Sequence, residues 1–355
     1  MIRFKYNRTL AERTGLARLA IAQTSTLITI IKMKAIVYTQ YGSPEVLQLK
    51  EVEKPSPGDN EILVSVKATA VNSGDWRLRK ADPFGVRLFF GLMKPKINIL
   101  GSVFSGEVER VGKDVKLFKI GDPVFGHTDM RFGAYAEYKC LPENGTVALK
   151  PDSLTHTEAA VIPFGGTAAL HFIKKAAIKP GQKVLINGAS GAVGSAAVQL
   201  AKYFGATVTG VCSTANVDLV KSLGADRAID YTKEDFTQNG EKYDVIFDTV
   251  NKVSFSRGLK SLNKGGLLIL SAAGMAEMLQ GFWTSVTSSK KVLTGVISHS
   301  AEGLIFLKEL IEAGKLKPVI DKTYSFTQIA AAHAYVEKGH KKGNVAITLE
   351  HNGVV

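Results

Sequence analysis

Lys183-Val184-Leu185-Ile186-Asn187-Gly188-Ala189-Ser190-Gly191-Ala192-Val193-Gly194 runs an apolar strand straight into a Gly-x-x-Gly-x-x-Gly turn, and Ser195 to Tyr203 then reads as a helix. A strand that ends in a tight turn aims the next helix's free N–H groups and positive dipole end at whatever sits above the turn. A pyrophosphate fits there if no side chain blocks its approach. Gly188 permits the turn, Gly191 lets the backbone approach phosphates, and Gly194 allows close helix–strand packing; Ser190, Ala192 and Val193 complete the cradle. Glycine-rich turns are common in loops, so the strand before and the helix after are what point to a dinucleotide site.

The residues that follow repeat the pattern. Thr207 to Cys212 is β-rich, Val217 to Leu223 helical, Arg227 to Asp230 a short strand, and Val245 to Phe247 a buried strand leading into Asp248-Thr249-Val250. Ser254 to Leu262 reads as a helix, with strands at Leu267 to Leu270 and Val292 to Ile297. Short apolar runs alternating with helices indicate a doubly wound parallel sheet, whose ligands lie beyond the carboxyl ends of its strands. Thr249, Val250, Ser271 and Ala272 occupy such ends and are candidate cofactor contacts. The second strand closes on Gly210-Val211-Cys212-Ser213-Thr214, with no acid. An NAD site would place Asp or Glu there for the ribose 2′-OH. A carboxylate would repel a 2′-phosphate, whereas Ser213 and Thr214 can donate to one, so the expected cofactor is NADPH.

Length and composition bound the rest. A chain of 355 residues, 45% hydrophobic and 22% charged, should hold two domains with substantial cores. Cys140 and Cys212 fall in different halves, which argues against a disulfide framework and for a reducing compartment. No apolar run is long enough to span a membrane. The net charge of +13 is scattered, with no basic stripe interleaved with aromatics, so nucleic acid is not an expected partner. Residues 1–32 carry six Lys/Arg against Glu12 and are rich in Ser and Thr, the composition of a mitochondrial-type presequence. Met33-Lys34-Ala35-Ile36-Val37 begins a strand at a methionine, so the preferred reading makes residues 1–32 an extension dispensable for folding and catalysis. The expected location is then cytoplasmic, with the mitochondrial matrix as the alternative.

Residues 33–155 have an all-β texture: short runs at Ala35 to Tyr38, Val46 to Leu49, Ile62 to Val71 and Ser105 to Val111, separated by turn clusters such as Pro55-Ser56-Pro57-Gly58-Asp59-Asn60. Residues 156–315 form the dinucleotide-binding unit. Residues 316–355 read strand–helix–strand (Tyr324 to Phe326, Gln328 to Lys338, Asn344 to Leu349) and are expected to return to the first domain.

Val71-Asn72-Ser73-Gly74-Asp75, Gly101-Ser102-Val103-Phe104-Ser105-Gly106, Gly121-Asp122-Pro123-Val124, Gly133-Ala134-Tyr135-Ala136-Glu137-Tyr138 and the Gly188–Gly194 turn occur in an order that resembles the medium-chain dehydrogenase/reductase superfamily. The resemblance spans nearly everything from Met33 to Leu349. It implies a GroES-like barrel domain beside the Rossmann domain, a cleft between them, and commonly a homodimer. It also implies that Tyr231 lies near the 2′-phosphate, that Asn344 contacts cofactor, and that Asn72 and Thr167 flank the nicotinamide as catalytic residues. Capping a helix is an alternative role for Thr167.

Zinc dehydrogenases of this superfamily carry metal ligands where this chain has Asn72 and Ser102, and the four-cysteine lobe after Gly121 is missing. Zn²⁺ needs several converging Cys, His or carboxylate ligands. The seven His residues show no paired spacing, and a lone His is ordinarily a surface or hydrogen-bonded core residue. No metal is expected, and the chain resembles the zinc-free quinone oxidoreductase (zeta-crystallin-like) branch. Without an ion to stabilise an alkoxide, quinones and α,β-unsaturated carbonyls suit the site better than saturated alcohols. An NADP-dependent alcohol dehydrogenase or aldehyde reductase, and a non-catalytic dinucleotide-binding protein, are the alternatives. Some relatives place a Tyr where this chain has Arg77, so solvent is the expected proton source. Phe89, Phe90, Leu92 and Met93 are candidates for an apolar pocket.

Overall fold

A computed structural model describes residues 31–271 and 274–350, so the expectations for residues 1–30 and for Ala272 lie outside the described residues. The first half contributes β1 (Lys32–Val37), β2 (Gln48–Glu53), β3 (Glu61–Val71), α1 (Ser73–Lys80), α2 (Val86–Phe90), β4 (Val103–Val111), β5 (Pro123–His127), β6 (Tyr138–Pro142) and β7 (Val147–Leu149). After α3 (His156–Ala160) and α4 (Ile162–Ala176) come β8 (Lys183–Asn187), α5 (Ala192–Tyr203), β9 (Thr207–Cys212), α6 (Val217–Ser222) and β10 (Arg227–Asp230). β11 (Tyr243–Asp248), α7 (Phe255–Lys260), β12 (Leu262–Leu270), α8 (Met275–Thr287), β13 (Lys291–Leu293) and α9 (Ala301–Glu312) follow, and β14 (Ile320–Ser325), α10 (Ile329–Glu337) and β15 (Asn344–Thr348) end the fold.

The Rossmann sheet runs β10-β9-β8-β11-β12-β13, every pair parallel. The chain reverses its direction of winding between β8 and β11, which opens a crevice at their carboxyl ends. Val184, Leu185 and Ile186 are completely buried because helices cover both faces of the sheet. The GroES-like lobe is built on the order β14-β15-β3-β4-β5-β7, with β6 also on β3. The tail returns as expected: Ala346 pairs with Ala70 in an antiparallel ladder between β15 and β3.

Several boundaries move for local reasons. Val46 ends a 3₁₀ turn opened by Pro44, so β2 starts only at Gln48. The strand expected over Val292 to Ile297 stops at Leu293, and Gly295 takes a left-handed φ of 136° just beyond it. Phe326 opens a 3₁₀ turn, so β14 lies earlier, at Ile320–Ser325. The all-β texture concealed α1: Asn72 caps it, and the Asp75 carboxylate accepts the Asn72 backbone N–H at 2.8 Å.

α1 is locked to the tail. Arg79 is fully buried, donates to Gly42 O at 2.8 Å and contacts Glu337 Oε2 of α10 at 2.5 Å. Removing one partner of such a pair strands the other charge out of water. Glu337→Ala should therefore destabilise the protein by about 3 kcal/mol, read as a fall in the denaturant midpoint, while Glu337→Gln costs clearly less.

Candidate active site

The glycine turn has the close contacts that the spacing implied. Gly188 adopts φ 79°, and a Cβ there would meet Val250 at 2.6 Å and Thr249 at 2.7 Å. A Cβ on Gly194 would lie 2.1 Å from the Gly188 carbonyl oxygen, so α5 can approach β8 only with glycine at that position. Gly191 differs: its Cβ would meet only Gly188 O, at 3.4 Å, and would otherwise project into open space. Gly191 is the N-cap of α5, so the N–H groups of Ala192, Val193 and Gly194 have no acceptor within the helix.

Above the turn lies a cavity of about 760 Å³, lined by Gly188, Ser190 and Gly191 from the turn, Ser213 from the end of β9, Tyr231 from the end of β10, and Val250 from the end of β11. The Asn216 amide donates to Ser190 Oγ and to Ser213 Oγ, both at 3.1 Å, and ties the turn to the second strand. Its Oδ1 is buried without a partner. Thr214 does not join the lining. Its hydroxyl donates to Asp230 Oδ2 at 2.6 Å. The tail supplies Gly339, His340 and Lys341 to the same cavity. Gly343 N–H donates to Ser190 O at 2.6 Å, which pins that segment to the turn. Glu234 and Asp235, the cavity's acids, are paired with Arg227 at 2.9 Å and Arg257 at 3.4 Å. Burial pushes the Lys341 ammonium down to about 8, against the pull of Asp321.

The remaining expected cofactor residues do other work in this conformation. Thr249 donates its hydroxyl to Asn187 O at 2.8 Å, bracing the turn, and Ser271 donates to Asp248 O at 3.2 Å. Asn344 lines a small separate pocket with Ala192; its amide donates to Val319 O at 3.0 Å, and its Oδ1 is buried and unpartnered.

Asn72 is buried between β3 and α1, and its Nδ2 donates weakly to Ser102 Oγ at 3.4 Å. Burial raises Asp75 to about 7, while the Asn72 N–H pulls it down. Thr167 sits in the second turn of α4 and does not cap it; its hydroxyl contacts Pro163 O at 2.5 Å and His299 Nδ1 at 2.6 Å. His299 stacks on His127, with ring centroids 3.9 Å apart. α4 packs against the start of α5 because Gly165 nearly touches it: a Cβ there would lie 2.4 Å from Ala192 O.

Residues 58–152 match the family described as Alcohol dehydrogenase GroES-like domain, and residues 223–347 the family described as Zinc-binding dehydrogenase. The chain is 36% identical to 2-methylene-furan-3-one reductase of Solanum lycopersicum, over 92% of its own length and 82% of the relative's. It is 35% identical to quinone-oxidoreductase QR1, chloroplastic, of Triphysaria versicolor, over 89% of this chain and 98% of that one. The chain belongs to the medium-chain dehydrogenase/reductase superfamily. The solved quinone oxidoreductase from Coxiella burnetii superposes with a TM-score of 0.82 at 30% identity, over 90% of this chain and all of that one.

As a member of that superfamily the protein is an oxidoreductase. Among the described residues no group of three or more His, Cys, Asp and Glu converges as a metal would require. The structure also adds residues that the sequence did not single out. Asn216 and Lys341 join the cavity through tertiary contacts with Ser190 and the turn, and His127 and His299, far apart in sequence, meet face to face. The pocket expected from the phenylalanines is not formed: Phe89, Leu92 and Met93 are exposed, and Phe90 packs edge-on against Phe132.

Gly191→Val tests the cradle directly. The apo fold has room for the side chain, so the melting temperature should hold, while dinucleotide binding, measured by fluorescence titration, should be lost.

Proposed function

We propose that this oxidoreductase reduces quinones or α,β-unsaturated carbonyls with NADPH and without zinc. The observation that carries the reading is the Asn72–Ser102 pair. Two neutral side chains face each other at the positions where zinc dehydrogenases hold their ion, so an alkoxide would find no ion there. An enone or quinone spreads the incoming charge over a conjugated system, and hydrogen bonds suffice to hold it.

The cavity fits a dinucleotide on three counts: the open space at Gly191, the unbonded amides that begin α5, and the orphaned Oδ1 of Asn216. Those amides would hold the pyrophosphate. Ser213, Lys341 and Tyr231 would hold the 2′-phosphate end, where no free carboxylate opposes it. When bound, the nicotinamide supplies a hydride. The Asn72 amide, only weakly engaged by Ser102, donates to the acceptor oxygen, and the Asp75 carboxylate fixes the Asn72 backbone beneath it. The names of the two relatives, a furanone reductase and a quinone oxidoreductase, support this substrate class.

A homodimer remains part of the proposal. β13 ends the parallel sheet with an open edge among the described residues, and Phe282 and Trp283 of α8 are exposed beside it. The chloroplastic name of one relative, together with the basic, acid-poor composition of residues 1–32, favours an organellar address over the cytoplasm.

Purified protein should oxidise NADPH with quinones or enones far faster than it acts on saturated alcohols with NADP⁺, and chelation should leave turnover intact. Ser213→Asp should shift the preference toward NADH. Failure to reduce any quinone or enone despite binding NADPH would overturn the reading.

Proton linkage gives a further check. Lys341 in the free protein loses its charge near pH 8, so anion binding above that pH must draw a proton from solvent. NADPH affinity should then weaken as pH rises past 8, by up to about tenfold per unit, and Lys341→Met should flatten the profile.

A further inference from the structure

His127 and His299 come from opposite sides of the cleft, and neither the turn nor Asn72 accounts for them. His127 ends β5, paired in register with Val103, one residue beyond Ser102. His299 lies in the loop between β13 and α9. Their rings are 15° from parallel at 3.9 Å, and Phe164 lies nearly parallel to His127 at 6.5 Å.

The hydrogen bonds determine where the protons sit. The Asp129 backbone N–H donates to His127 Nδ1 at 2.9 Å, so that nitrogen presents a lone pair and the ring hydrogen is on Nε2. A second proton would go to Nδ1, which lies 3.4 Å from the Asp129 carboxylate, so Nε2 stays a donor in either charge state. Among the described residues that Nε2 has no partner, yet it is not among the buried unpaired atoms, although His127 is only 6% exposed. The donor therefore keeps contact with solvent and is free for a ligand.

His299 has the opposite arrangement. Thr167 has one hydroxyl proton and gives it to Pro163 O, so His299 Nδ1–H is the donor in the 2.6 Å contact with Thr167. The other titratable groups facing the pair are Asp129 and His171; the latter accepts from Ser298 N–H at 3.4 Å. Burial, reinforced by His127, lowers His299 to about 4, so it is neutral at physiological pH and its Nε2 cannot donate.

We propose that His127 is a second catalytic donor: its Nε2–H binds the acceptor's carbonyl or quinone oxygen opposite Asn72, and His299, held by Thr167, positions the His127 ring. This rests on the reductase reading above. An enone takes hydride at its β-carbon, forming a C–H bond. The C=C pair shifts toward the carbonyl carbon, and the C=O pair comes to rest on oxygen as an enolate. NADPH leaves oxidised to NADP⁺, His127 and Asn72 hold the oxygen's charge, and water then protonates the α-carbon. An imidazole N–H is a competent donor in such a role.

The test pairs His127→Phe, which keeps a stacking ring without a donor, with His127→Gln, which keeps a donor. His127→Phe should lower kcat on the order of 10²-fold while leaving acceptor KM and NADPH affinity within about twofold, and His127→Gln should recover roughly tenfold. Two readouts need no turnover. Nitrogen-15 NMR should show His127 with Nε2 protonated and Nδ1 free. 4-Nitrophenolate, an oxyanion probe, should bind the NADP⁺ complex of the unsubstituted protein more tightly than that of His127→Phe. Equal turnover or equal probe affinity in the Phe variant, or an Nδ1–H tautomer, overturns the proposal. Absence of enone and quinone reduction by the unsubstituted protein overturns the reductase reading instead, and the tautomer and probe measurements still judge the donor.

Discussion

The rest of the site depends on the approach of α5 to β8. With the Gly188 carbonyl oxygen 2.1 Å from where a Gly194 Cβ would be, the first turn of the helix sits directly over the strand end, and its amides face outward. Gly165 repeats the constraint from the other side by letting α4 press against Ala192. Two bare Cα positions thus let α4, α5 and the end of β8 pack closely together. Polar bonds then fasten the assembly: Asn216 ties the turn to β9, and Gly343 ties it to the tail.

The cleft is also graded in polarity. Around the glycine turn, acids are paired with arginines, and the Lys341 ammonium donates to Gly343 O. Around Asn72 and Thr167 the side chains that meet are amides, hydroxyls and imidazoles. Such a surface favours an anion at one end and a polarisable, uncharged oxygen at the other, because buried dipoles stabilise developing charge without themselves being reorganised. Asp75 lies beside Asn72, where burial raises its proton affinity while the Asn72 N–H favours its charged form.

How far the sequence revealed this varies with the range of the interactions involved. β8 and β9 were legible almost to the residue, because buried parallel strands are largely apolar runs bounded by turn residues. α1 was hidden because its stability comes from a cap and from Arg79 reaching Gly42 and Glu337, not from an apolar stripe. The hydrogen bond from Thr214 to Asp230 was not legible, because the acid lies on the neighbouring strand. Lys341, His127 and His299 carried no local signal: each acquires meaning from a neighbour distant in sequence, and a single histidine in a list gives no hint of which ring it will face.

The pairing of β15 with β3 also bears on synthesis. β3 emerges early, yet one of its partners, β15, is made far later, so the GroES-like sheet keeps an open edge through most of translation. The parallel sheet needs only residues that appear in between and can close first. Ladders between strands so far apart in sequence form slowly, and an unpaired edge can template the wrong neighbour meanwhile. The nascent chain is therefore most vulnerable while the nucleotide-binding lobe is already folded and β3 still waits for the residues around Ala346.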